Sequence, residues 1–173
     1  GRKGCTMRWF WIDRFTEFVR GEKATAVKNV SLAEEYLHDH FPGVAIMPTT
    51  LIIEGMAQTG GILVADAIAY KKQVVLAKVS SAAFDFDVIP GDRIEYRAIL
   101  HQSMAGGTLV KITTHVGDRD HGKAELFFAH LETGKVAPKL FKADEMHSWM
   151  DNLQIYDVAI NPDGTRIERG NDD

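Results

Sequence analysis

The sequence of 173 residues contains a single cysteine, Cys5. One thiol cannot form a disulfide within the chain. A low number of cysteines is typical of proteins in a reducing compartment. The first ten residues, GRKGCTMRWF, contain no apolar run of the length that a secretory signal peptide needs. We therefore expect a cytoplasmic protein.

The sequence also lacks an excess of positive charge. Twenty Lys and Arg against 24 Asp and Glu give a net charge of −4, with an isoelectric point near 6.0. No broad basic surface is expected, so nucleic acid is not an expected partner. A long apolar segment at 51–65 is interrupted by Glu54 and Gln58, which makes it a poor membrane span. Length and composition are those of one globular core.

The segment at 51–65, LIIEGMAQTGGILVA, carries the most informative acid of the chain. It is apolar or small around its whole circumference apart from Glu54, Gln58 and Thr59. A helix that is hydrophobic all round is buried, and Glu is almost never fully buried unless it is paired. Glu54 therefore lies on a polar edge of the helix, is neutralised by an Arg from elsewhere, or performs chemistry.

His40 lies fourteen positions before Glu54, at the start of a loop with two further motifs. The loop reads His-Phe-Pro-Gly at 40–43 and Met-Pro-Thr at 47–49, and Ala-Gln follows Glu54 at 57–58. This pattern resembles the active-site segment of the 3-hydroxyacyl-acyl-carrier-protein dehydratases, which have the hotdog fold. The similarity extends over roughly 8 to 131, through the segments 11–14, 28–30 and 88–92.

Two segments depart from the pattern of that family. The family's Met-Pro-Gly is Met-Pro-Thr here, so Thr49 keeps the backbone N–H but adds a Cβ. Where the family often carries basic residues before its Pro-Gly-Asp turn, this chain has Asp85-Phe86-Asp87. Those basic residues help to meet an acidic carrier protein, so the choice between acyl carrier protein and coenzyme A stays open.

The resemblance implies a lyase that dehydrates a 3-hydroxyacyl thioester to the trans-2-enoyl thioester. The pathway would be fatty-acid or related lipid biosynthesis, and neither a metal nor another cofactor is expected. His40 would remove the proton beside the carbonyl, since neutral imidazole has a pKa near 6.5. Glu54 would donate a proton to the departing hydroxyl, because burial favours the protonated carboxyl.

Four further residues are expected to bind the substrate: Phe41, Gly43, Thr49 and Gln58. Backbone N–H groups around Gly43 and Thr49, with the N-terminus of the central helix, would polarise the thioester carbonyl. Gln58 lies one turn beyond Glu54 and would hold its carboxyl. The resemblance also implies a homodimer in which His40 and Glu54 come from opposite subunits. Relatives assemble further into a hexamer, a trimer of dimers.

Three alternatives remain at this point. A hotdog acyl-thioesterase would want an acidic residue near a helix N-terminus to activate water. A non-catalytic acyl-binding or scaffold protein is the main competitor, because of the two departures. A metal site at His38 and His40 is disfavoured by the nearby Pro42 and by the lack of a third ligand at a fixed spacing.

The sequence pattern predicts an α+β fold. We expect strands at 8–19 and 23–30, a short helix at 31–37 from the capping-box pattern of Ser31 and Glu34, and a central helix at 50–70. Period-two alternation predicts antiparallel strands at 74–80, 93–102, 108–116 and 123–132. The resemblance narrows this to the hotdog fold, a long central helix wrapped by a curved antiparallel sheet.

We expect residues 1–133 to form one hotdog domain with an N-terminal stub at 1–7, and 134–173 to form an extension. Within the extension, Met146, Trp149, Met150 and Leu153 are spaced as i, i+3, i+4 and i+7, which predicts an amphipathic helix within 144–153. It would pack on the body or on a neighbouring subunit, or act as a lid over an acyl channel. From Ile160 onward we expect an exposed hairpin or a polar tail.

Overall fold

The computed structural model describes residues 10–39, 42–132 and 143–169. The predicted site residues His40 and Phe41 and the predicted boundary at 133 lie outside these ranges. The described strands form one seven-stranded sheet, and the described helices flank it. The strands are β1 (Arg14–Val19), β2 (Lys23–Asn29), β3 (Gln73–Phe84), β4 (Arg93–Met104), β5 (Gly107–Val116), β6 (Arg119–Leu131) and β7 (Ala159–Ile160); the helices are α1 (Tyr36–Asp39), α2 (Thr49–Ala67), α3 (Ala143–Asn152) and α4 (Ile155–Val158).

The strand order across the sheet is β3-β6-β5-β4-β2-β1-β7. Neighbouring strands pair antiparallel, except that β7 runs parallel to β1. The predicted turn at 20–22 joins β1 to β2, and Gly21 has a φ of 72° there, a left-handed conformation that favours glycine. One long helix on a curved, almost entirely antiparallel sheet confirms the predicted α+β class.

Helix α2 lies on the sheet through one side of its circumference. It has 19 residues, about 28 Å at 1.5 Å per residue. Ile52, Met56 and Leu63 are buried in the core. A Cβ at Gly60 would lie 3.1 Å from the Phe128 ring, so the absence of a side chain lets helix and sheet approach closely. Among the described helices, none has the length and hydropathy needed to cross a membrane.

The end of α2 differs from the prediction. The helix ends at Ala67, three residues before the expected Tyr70, because Ala69 and Tyr70 both adopt left-handed φ values of 52° and 54°. The N–H of Tyr70 bonds the carbonyl of Ala65, and the N–H of Ala69 bonds that of Asp66. The sequence carries no glycine there that would have marked this stop.

Other predicted boundaries are wrong as well. Strand β1 begins at Arg14, although the strand was expected from 8 and residues 10–13 are described. Ser31 and Glu34 form a turn and not the start of a helix: Ser31 Oγ accepts from the N–H of Ala33, while Glu34 receives Lys28 Nζ at 2.6 Å. Helix α1 therefore begins later, at Tyr36. Strand β3 continues to Phe84, beyond the predicted end at 80. Strand β6 begins at Arg119, before the predicted start at 123.

The described part of the C-terminal segment packs on its own chain. Met150, Leu153 and Ile155 are buried in the core. The N–H of Phe15 donates to the carbonyl of Leu153 at 2.9 Å, and β7 extends the sheet beyond β1. Ile167 is also buried, and its N–H bonds the carbonyl of Ala159. Helices α3 and α4 therefore cover the β1 side of the sheet.

Candidate active site

The loop before α2 leads directly to the helix N-terminus. Gly43 has a φ of 84°, a conformation that L side chains rarely adopt, so this position favours glycine. The N–H of Met47 donates to the carbonyl of Val88 at 2.8 Å, which ties the loop to the segment after β3. Pro48 is the N-cap and Thr49 the first helical residue, and Thr49 is exposed.

The N-terminus of α2 is a site of positive potential. Pro48 provides no side-chain cap, and the first turn contains no acidic residue. The first N–H groups of a helix have no partner within the helix, and they form the positive end of its dipole. The first turn can therefore stabilise an oxygen that gains negative charge, such as the carbonyl oxygen of a thioester.

A cleft of about 450 Å³ opens beside this helix end. One wall comes from the end of β3 and the segment that follows it, at 82–88, and the opposite wall from the site loop and the first turn of α2. The lining residues are Met47, Thr49, Ile52, Ala82, Ala83, Phe84, Asp85, Phe86, Asp87, Val88 and His121. The structure thus brings Thr49 together with the acidic stretch that departs from the dehydratase pattern.

His121 lines this cleft although it is buried. Its Nδ1 lies 2.8 Å from Thr114 Oγ1, and its Nε2 lies 3.0 Å from the carbonyl oxygen of Phe86. The rings of Phe84 and Phe86 lie 5.4 and 4.9 Å from the imidazole, centroid to centroid. Burial lowers the pKa of His121 below its usual value, although the Phe86 carbonyl acts in the opposite direction.

The rim of the cleft carries both signs of charge. Asp85 and Asp87 are exposed on either side of Phe86. The guanidinium carbon of Arg119 lies 4.1 Å from the centroid of the Phe86 ring, a cation–π contact. Arg119 therefore places a positive charge next to the acidic stretch.

Glu54 is exposed in the single chain, which corrects the expectation that it is buried. Glu54 lies five positions after Thr49, so the two side chains leave the helix about 140° apart at 100° per residue. The neighbouring positions Ile53, Ala57 and Gly61 are only partly buried. The outer side of α2 around Ile53 and Ala57 is thus apolar and only partly covered by the chain's own sheet.

Gln58 binds the segment before β1. The N–H of Trp11 donates to Gln58 Oε1 at 2.7 Å. Because an N–H must meet the carbonyl end of the amide, this bond fixes the orientation of the side chain. The Nε2 end, which can donate to a carboxylate, is then the end directed away from Trp11. Gln58 lies about 40° from Glu54 around the helix, on the same side.

The remaining predicted site residues are only partly placed. His40 and Phe41 lie outside the described residues. Before them, His38 Nε2 donates to the carbonyl of Leu32 at 2.9 Å. Within 10–39, 42–132 and 143–169, no group of three or more His, Cys, Asp or Glu side chains is arranged to hold a metal ion.

Sequence reasoning missed His121 and the wall at 82–88. His121 precedes the predicted start of its strand at 123, and Ala82–Phe84 follow the predicted end of their strand at 80. His121 falls at a register shift between β5 and β6, where Thr114 pairs with Gly122 and His115 with Asp120. Period-two alternation could therefore not have placed His121 beside Thr114, and no motif marks it.

Comparison with known proteins gives the family. The family model described as the FabA-like domain matches residues 7–121. The 3-hydroxyacyl-[acyl-carrier-protein] dehydratase FabZ of Desulforamulus reducens is 35% identical over 121 residues, which cover 68% of this chain and 84% of that protein. The protein of the same name from Koribacter versatilis is 39% identical over 112 residues, 62% and 70% of the two chains.

The chain belongs to the 3-hydroxyacyl-acyl-carrier-protein dehydratase family. Solved structures agree on the hotdog fold of this dehydratase family member. Protein smu.793 of Streptococcus mutans, bound to acetyl CoA, aligns with a TM-score of 0.60 at 13% identity over 77% of this chain and 99% of that one. The dehydratase heterocomplex ApeI:P of Xenorhabdus doucetiae aligns with a TM-score of 0.52 at 13% identity over 62% and 88%. At such identities the likeness shows the fold alone.

Proposed function

We propose that the protein dehydrates a 3-hydroxyacyl thioester, carried on acyl carrier protein or coenzyme A, to the trans-2-enoyl thioester in fatty-acid or related lipid biosynthesis. One observation carries the proposal: the intact His-Phe-Pro-Gly and Met-Pro motifs lead into a helix N-terminus without a side-chain cap, beside a cleft, with Glu54 and Gln58 further along that helix. Family membership supports the same reaction.

In this mechanism two protons move. His40 removes a proton from the carbon next to the thioester carbonyl, and the electron pair forms the new C=C bond. The hydroxyl on the next carbon leaves with the proton of the Glu54 carboxyl, as water. The N–H groups of the first turn of α2, with the backbone at Gly43 and Thr49, stabilise the charge that develops on the carbonyl oxygen. Phe41 and Gln58 complete the substrate-binding set.

We propose that each site is shared between two subunits. Thr49 faces the cleft of its own chain, whereas Glu54 leaves the helix about 140° away. A substrate at the helix N-terminus of one chain is therefore better placed for the Glu54 of a second chain. The small residue Ala57 on the same outer side allows a second helix to approach closely.

The sheet supports a homodimer as well. Strand β3 is at the edge of the sheet and has 12 residues, most of them exposed. Leu76 and Val79, on this edge strand, are 38% and 40% exposed. A long edge strand with unpaired backbone groups is a template for pairing with another chain. Assembly of such dimers into a hexamer belongs to the same proposal.

The alternatives are less well supported. A thioesterase with an acid at the helix N-terminus would need a carboxylate in the first turn of α2, and this turn contains none. A scaffold protein would bind an acyl thioester without turnover, and only an assay separates it from an enzyme. We also propose a cytoplasmic location, which rests on the single cysteine and on the family.

The test is the reverse reaction with crotonyl-pantetheine and crotonyl-CoA. Hydration removes the conjugated enoyl absorbance, which can be followed directly. We expect turnover by the purified protein and loss of about 10²–10⁴-fold in Glu54→Gln, the range for a positioned acid or base. Glu22→Gln is the matched control, because Glu22 is exposed in the turn between β1 and β2.

The outcomes separate the candidates. Loss of the thioester bond with release of a free thiol would indicate a thioesterase. Binding of both thioesters without any turnover would indicate a non-catalytic scaffold protein instead of an enzyme. Equal activities of Glu54→Gln and Glu22→Gln would remove Glu54 from the mechanism.

A further inference from the structure

We propose that His121 is a positioning residue, which holds the 85–88 wall of the cleft in place by its hydrogen bond to the Phe86 carbonyl. The inference rests on the proposed function, in which that cleft receives the thioester substrate. His121 itself does not transfer a proton, because both ring nitrogens are engaged within the protein.

The hydrogen bonds determine which nitrogen carries the proton. A carbonyl oxygen can only accept, so Nε2 must carry the hydrogen that bonds Phe86. In neutral imidazole Nδ1 is then an acceptor, and the Thr114 hydroxyl must donate to it at 2.8 Å. The two bonds therefore have separate roles: Thr114 orients the ring, and Nε2–H holds the wall.

Strand β6 is arranged so that His121 can reach the wall. The N–H of Asp85 donates to the carbonyl of His121 at 2.8 Å, so backbone and side chain hold the same segment. A Cβ at the next residue, Gly122, would lie 2.7 Å from the carbonyl oxygen of Ala83. Glycine there lets β6 and the end of β3 approach to the distance at which the imidazole meets Phe86.

The wall is linked to the site loop. Val88 is fully buried two residues after Phe86, and its carbonyl accepts from the N–H of Met47 at 2.8 Å. Met47 is buried as well and precedes Thr49 by two residues. The contacts thus run from Thr114 through His121, Phe86 and Val88 to the loop that leads into α2. A shift of the wall would change the width of the cleft and the position of that loop.

Two near-isosteric substitutions separate the bonds. The amide nitrogen of Gln can take the position of Nε2, so His121→Gln keeps the donor to Phe86. The side-chain amide of Asn reaches only the position of Nδ1, so His121→Asn keeps the contact with Thr114 and leaves the Phe86 carbonyl without its donor. Thr114→Val removes the other bond and leaves His121 in place.

The experiment compares KM and kcat for hydration of crotonyl-pantetheine in these variants, with folding checked by thermal unfolding. We expect His121→Asn to raise KM about tenfold, the size expected for the loss of one buried hydrogen bond, with kcat nearly unchanged. His121→Gln should restore the KM of the parent. Thr114→Val should lower the unfolding temperature and leave KM close to that of the parent.

Several results would overturn the inference. One is equal KM values for the Gln and Asn variants, whether both match the parent or both are raised. Another is a fall in kcat with unchanged KM in His121→Gln, which would give His121 a direct part in the chemistry. An inactive parent protein would instead refute the proposed function. In that case the affinity for butyryl-pantetheine can be measured instead. Equal affinities of the parent and of His121→Asn would refute the positioning role too.

Discussion

At the scale of single residues, Glu54 shows what a hydrophobic pattern can and cannot predict. The segment around it is apolar on all sides, which predicted burial. In the structure only one side of α2 meets the sheet, and Glu54 lies on the other side, exposed in the single chain. The apolar pattern predicts that both sides of α2 are buried. It does not indicate which side packs on the chain's own sheet.

His121 gives a prediction for stability against pH. Burial lowers its folded-state pKa, with Asp85 and Asp92 acting in the opposite direction and Arg119 adding to the effect. Below the unfolded value of about 6.5, the unfolded chain takes up a proton that the folded chain resists, so stability falls as pH falls. We expect the unfolding temperature to decrease from pH 7.5 to about pH 5.

The decrease should be smaller in His121→Gln, which has no imidazole to titrate at this position. Part of it should remain, because burial also lowers the pKa of His130. Parallel curves of unfolding temperature against pH for parent and variant would show that His121 does not contribute.

Gly55 and Tyr96 are in close contact, so we expect substitutions at the two positions to have coupled effects on the free energy of unfolding. A Cβ at Gly55 would lie 2.7 Å from Tyr96 Oη, and Tyr96 is fully buried. Gly55→Ala should therefore destabilise the protein by roughly 1–3 kcal/mol through overpacking, although alanine favours a helix. Gly61→Ala is the matched control, since its Cβ would lie 3.3 Å from a single ring edge of Phe128.

Tyr96→Phe should relieve part of this strain. Among the described residues the Tyr96 hydroxyl has no hydrogen-bond partner, so its removal should be nearly neutral or stabilising. In a double-mutant cycle measured by urea unfolding, Gly55→Ala should cost less in the Tyr96→Phe background. Additive free energies of unfolding would mean that the two positions do not crowd each other.

At the scale of elements, an ion pair with a buried carboxylate joins the end of α2 to the turn that follows β1. Arg20 donates to both carboxylate oxygens of Asp66, from Nε at 2.9 Å and from Nη2 at 3.0 Å. The side chain of Asp66 is 1% exposed and that of Arg20 is 42% exposed. The Asp66 carboxylate raises the pKa of Arg20, chiefly through these hydrogen bonds.

Arg20→Ala should leave a buried carboxylate short of donors and destabilise the protein by about 1.5–3 kcal/mol, the range for hydrogen bonds to a charged group. The Arg20→Ala/Asp66→Asn double variant should recover part of this loss, because the uncompensated charge is gone. Urea unfolding measures both. A single variant as stable as the parent would show that Tyr70 and solvent satisfy Asp66 without Arg20.

Elements were predictable where a local signal exists. The turn at Gly21, the central helix and the meander β4-β5-β6 all follow from glycine, proline and period-two alternation. The early end of α2 rests on left-handed Ala69 and Tyr70, which no glycine marks. The extension of β3 to Phe84 and the parallel pairing of β7 with β1 depend on long-range contacts, such as the Phe15–Leu153 backbone bond. The motif at 40–58 predicted the family, but no local signal marked His121 or the cleft wall.

At the scale of the whole molecule, the division of the chain into a domain at 1–133 and an extension at 134–173 remains a prediction, because the boundary lies outside the described residues. The part of the extension that is described is continuous with the core through Met150, Leu153 and Ile155. Removal of residues from 143 onward should therefore expose β1 and lower the unfolding temperature.

The proposed dimer gives a prediction for assembly. If β3 pairs with β3 of a second subunit, the charges of the double variant Leu76→Glu/Val79→Glu would face the interface. This variant should therefore shift the protein towards a folded monomer with little activity. Ile99→Glu is the control: Ile99 is 56% exposed but lies on the central strand β4. Light scattering with circular dichroism reads out mass and folding, and a double variant that stays dimeric would place the interface elsewhere.

The proposed catalytic site combines His40 of one subunit with Glu54 of the other. It is tested most directly by mixing His40→Ala with Glu54→Gln under conditions that exchange subunits, and measuring crotonyl-thioester hydration. In a twofold-symmetric dimer each mixed dimer regains one complete site, so we expect two nearly inactive proteins to give about a quarter of the parent's activity. A mixture that exchanges subunits but stays as inactive as its components would contradict it.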